Sequence, residues 1–260
     1  MDAETVAKPI DRRALHAWFS RVPGREIALA QRGQLDRVLS NLFGYHLVQV
    51  GSLGDLDLLS NSRVLNRNVI EIDGLEQDQP YPVVRGSATA LPIESDTVDV
   101  VVLPHILEFE AQPHEALRES ARVLVPEGHL VICGFNPWSM MGCWRYLKGR
   151  QQSAPWSGRF LALTRLRDWL ALLGFDVTSQ TACFFKPPFS NERLLKRLDF
   201  LDRIGTRMPA YFAGAYLVLA QKRVTTLTPI RSRWRPRRRL VAVGLVGPSA
   251  RVADGLVERE

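Results

Sequence analysis

Few of the residue sets that do chemistry stand at a working spacing in this sequence. His105 follows the apolar run at 99–103 (DVVVL). A histidine just past a strand, with an ordinary pKa of about 6.5, suits a general base that takes a proton from oxygen or nitrogen. It suits equally a helix cap or a buried histidine satisfied by backbone. Gly51-Ser52-Leu53-Gly54 follows residues 45–50 (YHLVQV), and a glycine turn after a strand lets backbone approach a ligand without a side-chain clash. The spacing is not GxGxxG, so dinucleotide binding is not indicated. P-loop lysine, HExxH and GxSxG patterns are absent. Cys133, Cys143 and Cys183 are scattered without a CxxC pair, which gives neither a disulfide framework nor a zinc site and predicts a reducing compartment. No ligand cluster for a metal is found.

These residues need a scaffold, and its pattern is alternating. Two helical segments open the chain. One carries Leu15, Trp18 and Phe19, with Asp11 as its cap; after Pro23-Gly24 comes a second, with Ile27, Leu29, Leu35, Val38, Leu39 and Leu42, ending at Gly44. Strands are expected at 45–50, 69–72, 82–84, 99–103, 129–135, 175–185 and 211–220. Between the first two runs lies an apolar-periodic stretch reaching Leu65. Helices are expected over 105–124 with an interruption at Pro113, from the Asn136 cap to about Gly149, from the Thr164 cap to Leu173, and over 190–205. Residues 99–103 are almost wholly apolar, as in a strand buried on both faces. Strands alternating with helices predict an open α/β sheet, mainly parallel, with ligands at the carboxyl ends of its strands.

Residues 86–137 read GSATALPIESDTVDVVVLPHILEFEAQPHEALRESARVLVPEGHLVICGFNP. This stretch resembles class I S-adenosylmethionine-dependent methyltransferases of the type 11 group. Their pattern is similar to GDAxxLPFxDxSFDxVxxxHxLEHxxDPxxALxExxRVLxPGGxLxIxxxNP. Agreement in order runs from Gly86, Ala88, Leu91 and Pro92, through Asp99, His105, Leu107 and Glu108, to Arg122, Pro126 and Gly128. WFSRVPG near the start and FAGAYLVLAQKR at the last strand look like a bacterial subgroup with unassigned substrates. The resemblance covers roughly residues 11–223.

The resemblance implies a seven-stranded Rossmann-like sheet and S-adenosyl-L-methionine as cofactor. The cofactor turn falls on Gly51, Ser52 and Leu53, with Leu53 where a second glycine usually lies, Asp55 at the third and Gly54 displaced by one. The acidic position that helps hold the cofactor ammonium is Gln49 here. Asp73 falls at the ribose position, with Glu71 as its close competitor. Ser87 replaces the adenine-contacting aspartate, next to Ala88. Pro104 and His105 end the fourth strand beside the methionine moiety and the acceptor, where His105 is the candidate catalytic residue. Glu108 and Glu119 are read as structural, and Trp138, Met140, Met141 and Trp144 mostly as core. Asn136-Pro137-Trp138 is similar to the NPPY of DNA adenine methyltransferases but follows the wrong strand and lacks the second proline.

The implied activity is methyl transfer to a small or medium-sized acceptor. The sulfonium makes the methyl group electrophilic already, so the protein mainly aligns the partners and no nucleophilic triad is required. The alternative is a catalytically silent methyltransferase-like binding or scaffold protein, motivated by the altered turn, Gln49 and Ser87.

The organisation expected is a helical segment at 1–44, a methyltransferase-like domain at 45–223, and a basic tail at 224–260. Among 260 residues there are 34 basic and 27 acidic side chains, a net charge of +7. Ten of the basic residues and three of the acidic ones follow residue 220, so residues 221–260 hold the whole surplus and residues 1–220 balance. The charge therefore says nothing about the domain's substrate. A disordered arginine tail, densest at 231–239, offers nonspecific contact with nucleic acid or an anionic surface, or simple solubility. No secretory signal or run of about 20 apolar residues is seen, and a soluble cytoplasmic protein is expected.

Overall fold

A computed structural model of the chain describes residues 12–72, 80–147, 154–189 and 213–224, with isolated positions 193, 197, 198 and 200. Its elements are α1 (Arg12–Phe19), α2 (Gly24–Leu39), β1 (His46–Val50), β2 (Asn66–Glu71), β3 (Val83–Arg85), β4 (Val98–Pro104), α3 (Pro113–Val123), β5 (Leu124–Phe135), α4 (Met140–Leu147), α5 (Leu163–Leu172), β6 (Phe175–Cys183) and β7 (Ala215–Lys222). One seven-stranded sheet has the order β3-β2-β1-β4-β5-β7-β6. β1 to β5 pair in parallel, whereas β7 runs antiparallel to β5 and β6. This is the open, mostly parallel Rossmann-like sheet that the alternating pattern predicts.

The apolar run of β4 explains the layering. Val100 and Val102 point into one core with α1 and α2, together with Leu47, Val69 and Val131. Val101 and Leu103 point into the other with α3 and α5, together with Val48, Ile70 and Ile132. Successive strand residues face opposite sides, so a run apolar at every position is a strand covered twice.

Several helix expectations are corrected. The periodic stretch after β1 forms turns rather than a helix, although Leu53, Leu58, Leu59 and Val64 are buried as its period suggests. Local side-chain bonds win there: the Leu59 N–H donates to Asp57 Oδ1 and the Val64 N–H to Ser62 Oγ, closing turns in place of helical bonds. Residues 105–112 are also non-helical, and Pro113 opens α3 rather than interrupting it, since a first-turn proline forfeits no helical hydrogen bond. Asn136 caps a turn, with its Oδ1 accepting from the Trp138 N–H, and α4 starts four residues later behind Ser139. Thr164 lies inside α5, whose N-cap is Ala162. Gly174, at φ +79°, ends α5 as expected, in a backbone region that favours glycine. β6 stops at Cys183 instead of 185, where Phe184 turns to φ +62°. The expected Asp11 cap, most of the 190–205 helix and the tail beyond Val224 lie outside the described residues.

The link from β3 to β4 is pinned to α3 by one ion pair. Arg122 donates to Glu119 at 2.8 Å and to the Leu91 and Ile93 carbonyls, while the Leu91 N–H donates to Glu119 at 3.1 Å. The Arg122 bonds hold the Glu119 carboxyl below its ordinary value of 4.5. A depressed carboxyl contributes stability that is present above the unfolded-state pKa and lost as the pH falls toward the folded one. Glu119→Gln is expected to lose less stability than wild type when urea midpoints are compared between about pH 5 and about pH 3. An identical acid slope in both proteins would contradict this reading of the pair.

Candidate functional site

The residues singled out by the resemblance meet where β1, β2, β3 and β4 end. Gly51 follows β1 at φ +76°, and its N–H donates to the Ile70 carbonyl at 2.8 Å. Gln49, buried in β1, donates from Nε2 to the Gly51 carbonyl at 2.8 Å and so braces the turn from inside. A Cβ at Gly51 would meet the tip of Ile106 at 2.7 Å and the Arg12 guanidinium at 3.8 Å. Side chains from α1 and from the loop after β4 therefore face this glycine.

Glu71 is the last residue of β2 and is 3% exposed. It accepts a hydrogen bond from Ser52 Oγ at 2.9 Å, which ties the glycine turn to the neighbouring strand. A carboxylate held at a strand end offers several lone pairs, enough to accept from both hydroxyls of a diol. Asp73, expected at the ribose position, lies outside the described residues. Gly86 donates to the Glu71 carbonyl at 3.0 Å and brings the next segment alongside. There Ser87 Oγ lies 2.9 Å from Thr89 Oγ1, and Ala88 is buried in the core under α3. Pro104 ends β4, also buried. The donor and acceptor set at these strand ends fits the nucleoside part of the implied cofactor. It comprises a glycine turn, a strand-end carboxylate, a hydroxyl pair and buried apolar Ala88.

The departures in the turn have a structural reason. A Cβ at Gly54 would lie 3.2 Å from the Phe19 carbonyl carbon and 3.2 Å from Ser20 Oγ, so the displaced glycine admits the end of α1. Leu53 turns into the core shared with Phe19, Leu58 and Leu59. Asp55, 82% exposed in its side chain, turns away toward His16 at 3.3 Å and Ser20. Where a glycine-rich loop would otherwise stay bare, this turn is partly spent on docking the N-terminal helices.

His105 is 0% exposed and has φ +52°. Its Nε2 pairs with Gln31 Oε1 at 2.9 Å and its Nδ1 with Glu108 Oε1 at 3.2 Å. Phe19 and Phe135 flank the ring, with centroids at 5.2 and 4.0 Å. Glu108 also accepts from the Phe135 N–H at 2.6 Å, and so joins the ends of β4 and β5. Both ring nitrogens are therefore engaged, and His105 reaches an acceptor only by releasing one of them. Burial, with Glu108 as a neighbour, pushes the Tyr216 phenol up, and burial likewise pushes up the Cys133 thiol. Both stay neutral and unreactive at physiological pH.

Four residues of this region were not legible as site residues. Gln31 had a signal, a polar residue four positions from both Ile27 and Leu35 on the buried face of α2. Glu108 stood inside the motif but carried no sign of its partners. Arg12 and Glu110 had none. Among the described residues no group of acidic, histidine or cysteine side chains could hold a metal. An apolar cavity of about 230 Å³, lined by Val48, Ile70, Val84, Pro92 and Val98, also includes His46 and Asn68 at the beginning of β1 and β2. It extends toward the other ends of these strands and is not part of this site.

Comparison with known proteins agrees with this fold. The family model described as a methyltransferase domain, type 11, matches residues 57–132. The uncharacterized protein YafS of Escherichia coli K12 is 33% identical over 161 residues, covering 62% of this chain and 65% of YafS. Demethylmenaquinone methyltransferase of Mycobacterium tuberculosis H37Rv is 44% identical over 55 residues, 21% of this chain and 24% of that enzyme. The match thus spans less than two-thirds of either relative. Among solved structures, a SAM-dependent methyltransferase of Thermotoga maritima superposes with a TM-score of 0.60 at 21% identity, covering 77% of this chain and 90% of that one. The [4+2]-cyclase SpnF superposes at 0.51 with 15% identity, over 75% and 80% of the chains. These two likenesses concern the fold.

Proposed function

We propose that this chain, a member of the type 11 group of class I S-adenosylmethionine-dependent methyltransferases, moves a methyl group to a small or medium-sized acceptor by in-line displacement. The observation that carries the reading is the buried Glu71 carboxylate tied by Ser52 to the Gly51 turn. The bound cofactor would supply an electrophilic methyl group on a sulfonium. Every other contribution is the protein's own. Glu71, or Asp73 two residues on, accepts from the ribose hydroxyls. Ser87 and Ala88 border the adenine, with the serine hydroxyl supplying one hydrogen bond. Gly51, Ser52 and Leu53 give the turn that the amino-acid part passes, and Gln49 keeps that turn in shape. Pro104 closes the floor at the end of β4.

His105 is assigned the proton of an acceptor that must lose one, taken at Nε2 once Gln31 turns aside and that nitrogen is itself unprotonated, with Nδ1–H still held by Glu108. Alignment of two bound reactants contributes about 7–11 kcal/mol in favourable cases, which is why so little acid–base machinery suffices. Among the described residues no helix is long and apolar enough to cross a membrane, and a cytoplasmic setting belongs to the same reading. Nonspecific contact of the arginine tail with nucleic acid or an anionic surface is a separate proposal.

A second reading, a silent binding module, is favoured by Leu53 in the core and by the Ile106 tip directly over Gly51. Isothermal titration with S-adenosylmethionine and its demethylated product decides between them. Saturable binding of both supports the enzyme; no heat from either removes the cofactor reading altogether. Deleting residues 224–260 is expected to leave those affinities unchanged. A domain that loses binding with its tail would overturn the division drawn at 223.

A further inference from the structure

The methyltransferase reading leaves one requirement of the cofactor unmet. Its amino-acid end is a zwitterion, an ammonium and a carboxylate on one carbon, and the residue expected to answer the ammonium is the uncharged Gln49. That amide already donates to the Gly51 carbonyl, and the Gly51 N–H is held by Ile70. Recognition of two charges then falls to side chains reaching the turn from elsewhere.

Two such side chains are in place. Arg12, the first residue of α1, brings Nη1 to 3.8 Å from the Cβ position of Gly51. Its Nη2 lies 3.5 Å from Glu110 Oε2, in the loop after β4. The two side chains are only 12% and 18% exposed, so the pair is held rather than waving in solvent. Packing explains why Arg12 arrives there. Leu15 and Phe19 bury one face of α1, and the backbone of Phe19 abuts Gly54, which fixes the helix against the turn and leaves its first residue over Gly51. Of the nearby carboxylates, Glu71 accepts from Ser52 and Asp55 pairs with His16 and Ser20, while Glu110 pairs with Arg12 through Oε2 and accepts from the Ala111 N–H through Oε1.

We infer that Arg12 and Glu110 form the clamp for the amino-acid end of the cofactor, with the guanidinium taking the carboxylate and Glu110 the ammonium. The assignment rests on the methyltransferase reading and specifies one end of its site. A guanidinium fork matches a carboxylate with two parallel hydrogen bonds, whereas a lysine ammonium supplies charge without the fork. The clamp explains how a turn lacking the usual acidic residue keeps selectivity for the complete cofactor. It also gives the N-terminal helix a part in binding.

The test compares two nucleosides, S-adenosylhomocysteine, which carries the zwitterion, and methylthioadenosine, which lacks it. Calorimetric titration of the full chain is expected to show the first binding more tightly in wild type. Arg12→Gln should weaken S-adenosylhomocysteine by about 10- to 100-fold, the loss typical of a charged hydrogen bond, and leave methylthioadenosine unchanged. Arg12→Lys should recover part of the loss, and Glu110→Gln should repeat it without touching α1. Thermal melting reports whether each variant is folded; if Arg12→Gln is not, Glu110→Gln and the wild-type ratio carry the test. Equal loss of both nucleosides, or no loss of either, overturns the clamp while sparing the methyltransferase reading. Wild-type protein that binds neither nucleoside overturns both.

Discussion

Glu108→Ala is expected to destabilise the protein by about 3–5 kcal/mol, read as a shift in urea midpoint at unchanged slope. The carboxylate is buried, and its Oε1 accepts from the Phe135 N–H and pairs with His105 Nδ1. Its removal leaves a buried backbone donor and a buried imidazole nitrogen without a partner, and opens a cavity beside His105 and Phe135. Each orphaned group costs about 1–3 kcal/mol, before the cavity is counted. Glu108→Gln keeps an oxygen for Phe135 and fills the same space, so its loss should be clearly smaller. Were alanine to cost no more than glutamine, the bond to Phe135 would not be what joins the ends of β4 and β5.

Glu71→Ala is expected to cost at least about 100-fold in affinity for S-adenosylhomocysteine. Two charge-assisted hydrogen bonds to a diol are each worth about 1.5–3 kcal/mol. The folded state should tolerate the change better than the site does, because Ser52 can turn to solvent at the turn, where it is only partly buried. Asp73→Ala is the matched control. An equal loss there, with Glu71→Ala binding normally, would move the ribose contact two residues along the chain. Calorimetry on both variants, beside their melting curves, separates loss of contact from loss of fold.

Much of the fold is legible in the sequence. Residues 100–103 are apolar at every position, and only a strand covered on both faces needs that; β4 is such a strand. Gly86, Pro92, Arg122 and Gly128 kept their places in a motif, and the sheet that follows from it has the expected seven strands. The helix ends were less legible. At 105–112 the apolar period continued across a stretch that forms turns, because His105 takes a positive φ and Pro113 is a start signal. A period reports which residues are buried, and turns that bury Leu53, Leu58 and Leu59 imitate a helix in that respect.

The site divides in the same way. Gly51 and Ser87 were proposed from the sequence only through the family resemblance, which compares positions that are local in the chain. His105 could be located but not characterised, since its state depends on Gln31, 74 positions away. The Arg12–Glu110 pair spans 98 positions and leaves no trace in spacing or composition.

By itself the sequence determined the alternation of strands and helices, the strand ends where a ligand would lie, and the confinement of the basic surplus to residues 221–260. Each of these is a property of short segments and of residue counts. Only the tertiary structure decided why Gly54 is displaced, where Leu53 and Asp55 point, and which charges face the turn. Those depend on α1 packing across the glycine turn, and a contact between distant segments is set by packing rather than by local sequence.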